Sequence, residues 1–248
     1  MGDARWVVRR SAGARRGYPG HRGRHVGVGE ARLPPTVAVV VAVVLYASLP
    51  NQLLVGPRFV IPILEGILLV ALVATDPRRI TRQTRQSRMI SLVLIAVIVL
   101  TNLVALGQLV HDLVSAQVKG GGALLLAALQ VWATNVIAFA LIYWELDRGG
   151  PVSRVRRSRD ELPLADLRFS HDEDRDTVVE VSAGSSEKSD WMPTFIDYLY
   201  VSTTNSSAFS PTDTMPLSSR MKMLMAVQAT AALITSLLVI ARAVSALQ

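Results

Sequence analysis

The sequence predicts an all-α fold, a polytopic membrane helix bundle of about five transmembrane helices plus a short half-helix or re-entrant segment before the last one. Three observations predict it. Half of the 248 residues are hydrophobic and the mean hydropathy is +0.36. The charged residues, 18% of the chain, gather in blocks that leave long stretches almost uncharged. Those stretches are long enough, at 1.5 Å of rise per residue, to approach the ~20 residues that a membrane-crossing helix needs.

In chain order, residues 1–33 form a basic tail with Arg5, Arg9, Arg10, Arg15, Arg16, Arg22, Arg24 and Arg32. No apolar core follows closely enough for a signal peptide, and the tail reads as disordered. Residues 34–145 form a four-helix transmembrane region with apolar stretches at 36–49, 59–75, 89–114 and 123–144. The first two are short or interrupted by Pro50 and Asn51, and two crossings remain the reading for them. Residues 146–190 form a polar loop, basic first and then acidic through Asp172, Glu173, Asp174, Asp176 and Glu180. It is read as partly disordered, with a short strand at 177–181. Residues 191–248 supply a half-helix, a loop and a final transmembrane helix over 221–247.

Orientation follows from arginine. The tail, the 76–88 loop with Arg78, Arg79, Arg82, Arg85 and Arg88, and the run Arg148, Arg154, Arg156, Arg157 and Arg159 all fall on one side of a four-crossing scheme. The other connections offer Arg58 and Lys119. The positive-inside rule then places the amino terminus in the cytoplasm. The expected partners are the lipid bilayer and anionic lipids at the Arg-rich loops. The chain has a basic pI but no nucleic-acid-binding motif, so no nucleic acid is expected. With no cysteine there is no disulfide or thiolate chemistry. No phosphate-binding glycine loop, nucleophile elbow or HExxH is present, so neither an enzyme nor a cofactor is expected. His111-Asp112 lacks a third ligand of suitable spacing, so no metal site is expected there. The acidic run of the loop reads as a solvated charge cluster, since it lacks the glycine and terminal Glu of a calcium loop.

The segment 191–217 is too polar for a lipid-facing span and too aromatic for a plain loop. Thr194 and Asp197 have capping-box spacing. Trp191, Phe195 and Tyr198 share one face, which suits the headgroup interface. The chain then turns hydroxyl-rich, and Pro211 ends any helix before it. Two routes are open for this segment: re-entry from the side of the polar loop, or a full crossing as a buried polar span. The candidate residues of a polar path are Glu65, Asn102, Asn135, Asp197, Thr204, Asn205 and Asp213. Glu65 is a carboxyl at membrane depth, which costs ~2.5–3.5 kcal/mol unless it is paired or neutral. Asn102, Gln108, Gln130, Thr134 and Asn135 also read as hydrogen-bonding links between helices. Gln228, Thr235 and Arg242 recur every seven residues on one face of the last helix.

Two resemblances rest on particular residues. Tyr198-Leu-Tyr-Val-Ser-Thr-Thr204 before the turn and Asp213-Thr-Met-Pro216 after it distantly resemble the pore module of potassium channels. The filter Thr-Val-Gly-Tyr-Gly is absent, and Ser207-Ala-Phe-Ser-Pro211 stands in its place, so a carbonyl ladder is not implied. The second resemblance rests on Tyr143-Trp-Glu-Leu-Asp-Arg-Gly-Gly-Pro151, Asp197-Tyr-Leu-Tyr200 and Ala208-Phe-Ser-Pro-Thr-Asp-Thr-Met-Pro216. With these, the chain resembles an actinobacterial-type family of multi-pass membrane proteins without assigned function. That implies a fold and the bacterial inner membrane, not an activity. Two functions remain open. A channel or transporter places 197–213 around the axis of a homo-oligomer, whereas in a membrane scaffold or accessory subunit the same residues only pack.

Overall fold

The structure, a computed structural model, describes residues 30–54, 56–75, 79–80, 85–114, 121–173, 178–207 and 214–245. Nine helices lie within them: α1 (Leu33–Ala47), α2 (Val60–Thr75), α3 (Arg85–Val114), α4 (Gly121–Leu146), α5 (Pro151–Arg156), α6 (Val179–Ser182), α7 (Ser186–Ser189), α8 (Phe195–Ser207) and α9 (Ser219–Ser245). α3, α4 and α9 are long and apolar enough to cross a membrane, while α1 and α2 are shorter apolar helices. The five expected stretches thus appear as helices, each within a few residues of its expected ends.

Proline punctuates the first two. Pro34 and Pro35 open α1, where a missing N–H costs nothing. Pro50 follows its end, and Pro62 lies in the first turn of α2 rather than in its interior. α1 to α4 close a ring in which each helix touches the next and α1 touches α4. α8 and α9 pack on the α4 side of that ring.

One end of the bundle gathers most of the chain's turns. There β1 (Glu30–Ala31), just before α1, pairs antiparallel with β2 (Arg79–Ile80), between α2 and α3. The Trp144 indole near the end of α4 and the Phe195 amide opening α8 both donate to the Glu30 carboxylate, at 3.0 and 2.6 Å. Arg220, at the start of α9, reaches Asp166 and the Leu146 carbonyl. This is the basic end, which also carries Arg79, Arg85 and Arg88.

α8 enters from the basic end and stops halfway. Its Ser202 hydroxyl donates to the Val136 carbonyl, eleven residues or ~16 Å along α4 from Asp147. The chain is back at the basic end by β4 (Met215–Pro216), which pairs antiparallel with β3 (Leu167–Arg168). α8 is therefore re-entrant, and the full-crossing route does not occur. The loop residues 208–213, Asp213 among them, lie outside the described residues, as does the tail 1–29.

Two expectations change. The 146–190 loop, read as partly disordered, folds onto the basic end through α5, short 3-10 turns, β3 and α7, because its acids and arginines pair there. The expected strand at 177–181 is instead a helical turn, α6. Residues 174–177, with Asp174 and Asp176, lie outside the described residues.

The bend joining α4 to α5 takes three consecutive left-handed residues, Arg148 (φ 51°), Gly149 (φ 77°) and Gly150 (φ 93°). A Cβ on Gly150 would lie 2.9 Å from the Glu145 carbonyl oxygen. Gly150→Ala is therefore expected to lower stability by ~1–3 kcal/mol, read as an earlier thermal unfolding in detergent. Gly122→Ala, with open space around it, is expected to leave the unfolding temperature unchanged or slightly raised.

Candidate functional site

Two buried regions carry the polar chemistry, a charged cap at the basic end and a polar layer at mid-height. The cap centres on Asp147, which is fully buried. Its Oδ1 accepts from the Asp166 and Leu167 amides at 2.7 and 3.2 Å. Its Oδ2 accepts from the Tyr198 hydroxyl at 2.6 Å and from Arg148 at 2.7 Å. Asp147 sits just past the end of α4, so one carboxylate joins α4, the loop and α8.

Arg148 also binds Asp172 at 2.7 Å, and Asp172 accepts from the Ser186 hydroxyl at 2.6 Å. The Asp147 and Asp172 carboxylates pair with the Arg148 guanidinium and offset its burial. Burial likewise opposes the charge on Asp172, yet the Ser186 bond and Arg148 bring its pKa below the ordinary value. Arg154 is buried with its guanidinium over the Tyr198 ring, 5.0 Å from the centroid. Its Nη1 donates to the Trp144 and Asp147 carbonyls, both at 2.9 Å, and Glu30 lies 3.7 Å from Nη2. Burial pushes the Glu30 pKa up, with Arg154 the main opposing influence.

Phe195 and Tyr198, on one face of α8, are buried against the bundle. Phe195 meets Trp144 edge-on, Phe169 meets both Trp191 and Tyr198, and His171 stacks on Trp191 at 4.2 Å. The cap thus covers Phe195 and Tyr198, while Trp191 stays half-buried at its edge. Asp197 caps α8 by accepting from the Thr194 amide and hydroxyl at 2.7 and 2.9 Å.

The polar layer separates two apolar clusters. Above it, toward the basic end, lie Leu94, Ile98, Phe139 and Met225; below it lie Tyr46, Ala105, Val131 and Ala231. Between these groups along their own helices come Glu65, Thr101, Asn102, Thr134, Asn135 and Gln228, all buried. Gln228 is the hub. Its Oε1 accepts from the Tyr143 hydroxyl at 2.6 Å and Asn205 Nδ2 at 2.8 Å. Its Nε2 reaches the Ser202 and Ser206 hydroxyls at 2.6 and 2.8 Å. Asn205 also donates to the Met225 carbonyl at 3.0 Å, and Asn135 to the Gln228 carbonyl at 3.4 Å.

The candidates therefore separate. Asn135 and Asn205 meet at Gln228, whereas Asp197 belongs to the mouth of the re-entrant segment. Thr204 is half-buried and bonds within its own helix, to the Tyr200 and Val201 carbonyls. Glu65 is 2% exposed and its Oε2 has no partner; the Asn135 Oδ1 is also unpartnered. Thr235 is buried and bonds its own helix, so the seven-residue repeat of α9 is a packing seam at Gln228 and Thr235. Arg242 lies where side chains are not described. Among the described residues no group of three His, Asp or Glu is placed to hold a metal.

A narrow cleft runs from the basic end into the α1–α4 ring. Arg32, Ser87, Ser91 and Glu145 supply its polar groups, and Ser91 donates to Glu145 at 3.1 Å. Val39, Leu69, Leu94, Ile95 and Leu141 line the deeper part.

Sequence reasoning missed Glu30, Asp166 and Arg154 as buried partners. Only Asp166 left a trace, as a lone acid between the apolar Leu164 and Leu167. The fold and site define a helical-bundle protein with three helices long and apolar enough to cross a membrane. No family model, curated protein or solved structure matches the chain.

Asp147→Ala would leave a buried arginine, a tyrosine hydroxyl and two amides short of an acceptor, and is expected to cost ~3–5 kcal/mol. Loss of folded protein on size-exclusion chromatography checks it. For Asp172 the folded pKa lies below the ordinary 3.8. Its stabilisation is thus fully present above that value and is lost as pH falls through the lower folded one. Asp172→Asn is expected to flatten this acid limb, measured as unfolding temperature against pH.

Proposed function

We propose that the protein is a multi-pass membrane scaffold or accessory subunit, in which the re-entrant half-helix braces the bundle and does not line a pore. The observation that carries this reading is that the polar side chains of the half-helix are bonded into the Gln228 network. Ser202, Asn205 and Ser206, which would face a path, are spent on Gln228 and on helix carbonyls. The outward hydroxyls of Thr203, Thr204 and Ser207 are bonded to carbonyls of their own helix. A conducting path needs polar groups free to replace an ion's water.

The membrane placement follows the same logic. The basic end faces the cytoplasm of a bacterial cell under the positive-inside rule, with its arginines against anionic headgroups. The channel reading, in which a homo-oligomer surrounds 197–213, is the competing outcome of the experiment below.

Protein reconstituted in liposomes is expected to pass no monovalent cation above the empty-vesicle background. A flux that drops on Asn205→Ala would reinstate the channel. Since the chain has no cysteine, Ser158→Cys reports orientation cleanly. It is expected to react with an impermeant thiol reagent only after cell lysis.

A further inference from the structure

The cleft and Glu65 lie in one line along the α1–α4 ring. On α2, Leu72 and Leu69 line the cleft, and Glu65 follows one turn deeper on the same inward face. On α3, Ile95 lines it, Ile98 comes next, and Thr101 and Asn102 follow before the second apolar cluster begins at Ala105. The barrier between cleft and carboxyl is therefore about one helical turn, ~5 Å. Two of its members, Ala42 on α1 and Ala138 on α4, are the smallest side chains that core could hold.

Glu65 itself is buried with an unpartnered oxygen, in a helix whose other faces show Ile63, Leu64 and Ile67 to the outside. An ionised carboxylate there would be cut off from bulk solvent with no protein donor on its Oε2, and a neutral acid avoids that cost. The elements packed on α2 are α1 and α3. The one titratable side chain of α1 is Tyr46, in the apolar cluster below this level, and α3 has none between Arg88 and His111. No second carboxylate faces Glu65 from these helices, which disfavours a metal ion and leaves the proton, the one cation that needs no coordination shell.

We propose that Glu65 is a protonation site that exchanges its proton with the basic end of the bundle through the α1–α4 cleft. This goes beyond the scaffold reading, since it gives the α1–α4 ring a chemical state set by the pH on one side. The Gln228 network takes no part in it.

The test uses full-length protein in vesicles with the pH set separately on the two sides. A lipid-soluble carbodiimide reacts with protonated carboxyls, and peptide mass mapping separates Glu65 from Glu145. Adduct at Glu65 is expected, absent in Glu65→Gln. Its rate is expected to fall more than about tenfold between about pH 5 and about pH 9 on the basic-end side. The pH on the opposite side is expected to leave the rate unchanged. Leu69→Cys, or Val39→Cys if that variant folds poorly, is expected to react with a water-soluble thiol reagent from the basic-end side alone. A rate that ignores pH or follows the opposite side overturns the proposal. So does folded protein with no adduct at Glu65, or cysteines inert from the basic end.

Discussion

A carboxylate buried away from solvent has to be surrounded by donors, and Asp147 obtains four of them from three separate places. Two backbone amides of the loop, a tyrosine of the half-helix and the next residue in the chain converge on its two oxygens. Each donor fixes a segment that local preference would leave undetermined. Leu167 starts the strand that pairs with Met215–Pro216 and so returns the chain to the basic end. Tyr198 sets the depth and rotation of α8, and that rotation points Ser202, Asn205 and Ser206 at Gln228. The two polar regions are thus mechanically one, since the mid-height network is in register only because the cap is closed.

Hydrogen bonds at mid-height are strong determinants of position because a helix slid or rotated there strands its polar groups in a medium with no substitute partner. α9 is held by Gln228 at one level and by Arg220 at another, about two turns apart. Leucines alone would tolerate several rotations of that helix; the amide side chain accepts one.

The helices were legible in the sequence because apolar length is a local property. The re-entrant turn was half-legible: Pro211 and the hydroxyl run announced a break, but not the side on which it closes. That depended on Asp166 and Arg220, more than fifty residues apart, whose pairing no local pattern records. Asn135, Asn205 and Gln228 were readable as polar groups at depth, and their common meeting point was not. The motif Tyr143–Pro151 carried more than it showed. Its tyrosine binds Gln228, its tryptophan Glu30, its aspartate the cap, and its glycines allow the left-handed bend. The loop was misjudged because polar composition resembles disorder when the partners of its charges lie elsewhere in the chain.

The returning hairpin at β3 and β4 also imposes an order of events on synthesis. A ribosome delivers α1–α4 well before residue 198, so the first four helices must wait with the Asp147 acid and the Tyr143 and Asn135 polar groups bare on one flank. Only when α9 emerges can Gln228 and Arg220 draw the half-helix in. Until then the nascent bundle has an exposed polar seam, the kind of surface that another helix or a helper protein has to shelter while the chain is completed.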